Sequence, residues 1–151
     1  MYSILIVLIA LGLFAALLYA GTSSLKIDNY LIKSNKGIIE SNAMSLATQF
    51  TAYENLKGYT LQEANWESEI FSLNRFTAKT LENTSWSYHN DNDGVYFCLS
   101  GQVNAVNYSA MKLAEQSATD IAYTGISCGS KEIITHTGSF PTEFSVTYWI
   151  R

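Results

Sequence analysis

Ile4 to Ala20 is unbroken apolar sequence, and no Lys, Arg, Asp or Glu occurs before Lys26. Such a run cannot rest in water alone. As a helix, Met1 to Ser24 would span roughly 36 Å at about 1.5 Å per residue, enough for the ~30 Å hydrocarbon core of a bilayer. From Lys26 to Phe50 the pattern turns amphipathic, with neither proline nor a Gly/Ser cluster. Ile27 and Leu31 are four apart, and Ile39, Ala43, Leu46 and Phe50 fall at i, i+4, i+7 and i+11, which lays one apolar stripe along a helix. Lys33, Lys36, Glu40 and Gln49 fill its polar side. The pattern predicts one helix from Met1 to about Tyr53, roughly 80 Å long. Gly12, Gly21 and Gly37 each weaken it by about 1 kcal/mol relative to alanine, so each marks either a bend or a place of close helix packing.

Residues 54–151 then form one small head, long enough for a single core. Thr60-Leu61-Gln62-Glu63 has the form of a capping box, so a short helix is expected to start there. Thr60 to Thr80 reads as a helix-containing connection that covers the core through Trp66, Ile70, Leu73 and Phe76. Ser85 to Tyr88 alternates, Asp91-Asn92-Asp93-Gly94 is turn chemistry, and Val95 to Leu99 alternates again, which predicts a β-hairpin. On its second strand Val95, Phe97 and Leu99 share one face and Tyr96 and Cys98 the other. His89 to Gly94 also imitates a calcium loop, but His89 stands where the first acid belongs and Ser100 where the closing glutamate belongs. A helix follows from Asn104 to about Thr119, with Val106, Ala110, Leu113 and Ser117 along one side and Asn104 or Asn107 as cap. Glu132 to Thr137 and Phe144 to Arg151 read as strands. The class is α+β: a long N-terminal helix, apolar then amphipathic, packed on a small antiparallel sheet.

Three readings of the stem compete: a cleavable secretory signal, a signal anchor, and a helix that leaves the bilayer to pack against its own copies. No basic residue precedes Ile4, and bulky Leu18 precedes the best cut site after Ala20, which disfavours the first. The amphipathic continuation favours the third. With Ala10-Leu11-Gly12-Leu13-Phe14-Ala15-Ala16-Leu17 inside the apolar run, the chain resembles a type IV pilin, and a helix between its cysteines favours the IVb kind. The resemblance implies a major pilin subunit that is anchored in the inner membrane before assembly. Assembly machinery then extracts it into a helical homopolymer on the bacterial surface, for adhesion, DNA transfer or motility. It further implies that Ile4, Leu5, Leu8, Gly12, Ala15, Ala16 and Tyr19 pack in the filament core and that Met1 is the processed, methylated N-terminus. Leu5 departs from the glutamate that such stems carry near the mature N-terminus, and no basic leader ending in glycine precedes Met1. A minor pilin or a type II secretion pseudopilin would share the fold. A signal-anchored periplasmic binding domain is the alternative of another class.

Composition adds few exclusions. A net charge of −4 and a pI near 5.0 give no strong electrostatic case for nucleic acid. Cys98 and Cys128 are the only cysteines, and in a chain with an exported head the pair reads as a disulfide rather than a metal site. On the chain-entropy view, closing that loop stabilises the head by about 3.5 kcal/mol. No nucleophile elbow, phosphate loop or HExxH pattern is present, and Cys98 with His136 is a poor nucleophile and base once the bridge forms. Neither a catalytic residue nor a cofactor or metal ligand is expected. The aromatic residues are expected in the core and at subunit contacts.

Overall fold

The computed structural model describes the backbone of residues 2–130 and 138–151 and the side chains of residues 27–73, 75–130 and 138–151. Helix α1 (Tyr2–Lys57) is continuous over 56 residues. It ends at Lys57 rather than near Tyr53, because Gly58 supplies the stop: its φ of +73° is left-handed, and its N–H donates to the Glu54 carbonyl at 2.8 Å. The expected stripe is the one that packs. Ile39, Ala43, Leu46 and Phe50 are all buried, and Tyr53 extends the same face by one turn. Phe50 lies 5.8 Å from the Tyr88 ring and 6.4 Å from that of Phe97, centre to centre. Burying a side chain of this size stabilises the fold by about 1.5–3 kcal/mol.

The connection is built differently from expectation. Glu63–Asn65 forms a 3-10 turn that leads into α2 (Trp66–Asn74), and the residue before the turn, Gln62, makes no side-chain cap. The capping box over Thr60 to Glu63 does not form, since the Glu63 carboxylate accepts the Asn90 N–H at 2.7 Å instead. A tertiary partner outcompetes the local one. Trp66 and Ile70 are buried as expected, with the Trp66 ring 5.6 Å from that of Phe97.

Among the described residues four antiparallel strands follow: β1 (Thr84–Asp91), β2 (Gly94–Val103), β3 (Ala122–Gly125) and β4 (Thr142–Trp149), in the spatial order β1-β2-β4-β3. β1 and β2 form the predicted hairpin, with Asp91 opposite Gly94 across the Asn92-Asp93 loop. Gly94 has a φ of +139°, and a Cβ there would lie 2.5 Å from the Arg151 carbonyl oxygen, so the turn and the close approach of Arg151 both require glycine. Val95, Phe97 and Leu99 join the core shared with α1. Tyr96 and Cys98 are buried on the opposite face, where the Cys98–Cys128 disulfide fastens the 125–130 segment over the sheet.

Helix α3 (Ala105–Ser117) is capped by Asn104, whose side chain accepts the Asn107 N–H at 2.9 Å. Its buried side is Asn107, Ala110, Met111 and Ala114; of the expected Val106, Ala110, Leu113 and Ser117, only Ala110 is buried. Asn107 explains the rotation: it is buried because its carboxamide oxygen accepts a 2.8 Å hydrogen bond from Asn35 of α1. Strand β3 was not expected; the strand expected at Glu132 to Thr137 lies outside the described residues. The architecture is α+β, with α1 and α3 against one face of the sheet.

Candidate functional site

The sequence places its functional residues in the stem, and Met1, Ile4, Leu5, Leu8, Gly12, Ala15, Ala16 and Tyr19 lie outside the residues whose side chains are described. Among the described residues no helix is long and apolar enough to cross a membrane. What can be built from described side chains is the part of α1 that emerges from the head. Ile32 and Ile38 are half-buried against the core, whereas Ile27, Tyr30 and Leu31 are 59%, 73% and 41% exposed. Their i, i+3, i+4 spacing puts all three on one side of the helix. Ile27 and Tyr30 therefore continue the helical pattern largely in water, whereas Leu31 borders a small cavity with Thr80, Leu81 and Val106 of the head.

Farther along, over residues 34–51, the exposed positions of α1 are Ser34, Gly37, Ser41, Met44, Thr48 and Thr51, all uncharged. Among the described residues no atom lies within 4 Å of where a Cβ on Gly37 would stand, so none of them needs a glycine there. The hydroxyls of Ser41, Ser45, Thr48 and Thr51 donate to the carbonyls of Ile38, Ser41, Met44 and Ala47 at 2.7–3.2 Å. Their donors are thus satisfied by the helix itself, and covering the face would leave no hydroxyl hydrogen unpaired.

An open groove of about 610 Å³ runs between this helix and the end of the sheet, lined by Ala43, Met44, Ala47, Ile121, Trp149 and Ile150 among others. Met44 is 75% and Ile121 51% exposed, so much of its wall is apolar surface in contact with water. Tyr148 also lines it. The Tyr148 hydroxyl is buried without a hydrogen-bond partner among the described residues, and burial, with the Glu40 carboxylate adding to it, holds its pKa well above the usual tyrosine value. No characterised protein family, curated protein or solved structure matches this chain.

Opposite the helices, the disulfide lies beneath a polar cluster. Ser87 Oγ is 3.0 Å from His89 Nε2 and 3.8 Å from Cys128 Sγ, and the His89 ring stacks on Tyr96 at 5.0 Å. Tyr96 donates to Asp91 at 3.2 Å; burial and then that carboxylate push its pKa up to about 12. Ser87, His89 and Glu63 follow the order of a nucleophile, base and acid. The resemblance is one of order alone, since Glu63 is 3.9 Å from His89 Nδ1, beyond hydrogen-bonding range, and its oxygen is held by the Asn90 N–H. Cys98 is fully buried in the bridge, and His136 lies outside the described residues. No group of three or more His, Cys, Asp or Glu side chains able to hold a metal occurs among the described residues. Neither the exposed turn of α1 nor the groove was legible beforehand; the only signal was that Ile27 and Leu31 precede the stripe that enters the core.

Proposed function

We propose that this chain is the structural subunit of a type IV pilus-like filament, which polymerises through its N-terminal helix and presents its head outward. The observation that carries the reading is the 56-residue helix α1, whose Ile39-to-Tyr53 face serves the head while Ile27 and Tyr30, which precede that face, stay more than half exposed. A head of this size needs only the second half of that helix. The remainder requires another environment, first the inner membrane and then the stems of other copies. Helix association of this kind rests on close packing, for which Gly12, Ala15 and Ala16 are the contact residues. The head contributes a disulfide, which suits an oxidising exterior.

Under this reading the chain carries out no reaction. Its partners are its own copies and the machinery that lifts it from the bilayer. Gly12→Leu or Ala16→Leu keeps the segment apolar but blocks close approach. Each should lower fibre yield, counted by electron microscopy of sheared material, while membrane insertion persists. Undiminished fibre counts in both variants would remove these positions from the filament core.

A further inference from the structure

Two surfaces of this chain complement each other and cannot meet within one molecule. The first is the exposed turn of α1 formed by Ile27 and Tyr30 together with Leu31, which stands where the turn meets the head's Leu81 and Val106, and with Lys33 exposed at its edge. The second is the apolar groove lined by Ala43, Met44, Ala47, Ile121, Trp149 and Ile150, with Asp120 exposed beside Ile121 at its end. Within a continuous helix, the turn and the groove's α1 wall are some fifteen residues apart, roughly 20 Å along the axis. Neither Lys33 nor Asp120 has an ion-pair partner among the described residues. The self-satisfied hydroxyls beside the groove leave that side of α1 without donors that need water.

We infer that the groove is the docking site for the Ile27-Tyr30-Leu31 turn of a second copy, with Lys33 of the incoming stem pairing with Asp120 of the receiving head. The inference rests on the filament reading and names the contact by which the heads would hold adjacent stems. Because turn and groove are different surfaces, each copy offers one and receives the other. The contact is heterologous and leaves both ends free to add subunits. Between parallel stems it sets an axial offset of roughly 20 Å. Tyr30 suits the groove chemically: its ring covers apolar wall while its hydroxyl reaches the wet rim.

The test uses the full chain, in which both native cysteines are consumed by the Cys98–Cys128 bridge. Lys33→Cys and Asp120→Cys together should give a ladder of disulfide-linked oligomers when assembled material is oxidised, and neither change alone should do so. In parallel, Lys33→Glu and Asp120→Lys should each lower fibre mass about two- to fivefold, the range expected of one exposed charge pair, and the double reversal should restore it. Both positions are exposed, and near-UV circular dichroism verifies that each variant keeps the native head. Fibres that form without the ladder, or a double reversal no better than its singles, would overturn the docking proposal and leave the filament reading standing. Wild-type chain that never assembles would overturn both.

Discussion

The Arg151 guanidinium grips the Glu54 carboxylate through paired 2.8 Å hydrogen bonds, joining residues 97 apart in sequence. The same guanidinium lies 5.4 Å above the Phe50 ring. The segment that leaves β4 is thereby pinned to the last turns of α1, and the Arg151 carbonyl accepts the Val95 N–H at 2.9 Å to close the contact. The guanidinium is half exposed, so Glu54→Ala should cost only about 0.5–1 kcal/mol in urea unfolding, at the upper end for a surface pair because the geometry is bidentate. A loss well above 3 kcal/mol would mean that the stem and sheet depend on this clamp rather than on the Phe50 core.

Replacing both Cys98 and Cys128 by serine should destabilise the head by about 2–4 kcal/mol, since it releases a crosslink between residues 30 apart that encloses α3. Thermal unfolding of the two forms measures this directly. An unchanged midpoint would show that α3 is held by its own contacts, those of Asn107, Met111 and Glu115 among them, without help from the crosslink.

Glu115 is the pH-sensitive tie between α3 and β3. Its carboxylate accepts from Lys112 Nζ at 2.8 Å and from the Thr124 N–H and hydroxyl at 2.9 and 2.8 Å. Burial alone would raise its pKa, but the Lys112 and Thr124 hydrogen bonds outweigh burial and hold it below the usual carboxylate range. A group whose folded pKa is depressed binds its proton more readily when unfolded. The stabilisation is therefore complete above the ordinary glutamate value near ~4.3 and is lost as pH falls through the depressed one. Unfolding free energy should decline over that acidic window in the wild type, with a smaller decline in Glu115→Gln. Equal slopes for the two proteins would contradict the assignment.

Tyr148→Phe removes a buried hydroxyl that has no hydrogen-bond partner among the described residues. Leaving such a group unsatisfied costs about 1–3 kcal/mol, so the substitution should leave stability unchanged or raise it. Marked destabilisation in chemical denaturation would reveal a partner for the hydroxyl.

How far the sequence could be read varied with how local the cause was. The hairpin was legible because alternation and the Asp93-Gly94 turn are local signals, and Ile39, Ala43, Leu46 and Phe50 because a single period governs them. Glu63 was misassigned as a cap because its partner, the Asn90 N–H, is 27 residues away. The buried side of α3 was misplaced because hydropathy cannot foresee that Asn107 is covered once Asn35 satisfies it. β3 escaped notice because it is four residues long and three of them, Ala122, Thr124 and Gly125, are buried, leaving no contrast between faces. The groove beside Met44 arises only when α1, α3 and β4 meet, so no stretch of sequence announces it.

The account rests most heavily on the claim that the stem makes this chain a fibre subunit. Electron microscopy of sheared surface fibres, with mass spectrometry of their protein, tests that claim most directly. The account predicts thin helical fibres composed of this chain, absent when residues 1–20 are deleted although the head still folds. This chain recovered only as a membrane-held monomer, or fibres that persist without the stem, would contradict it.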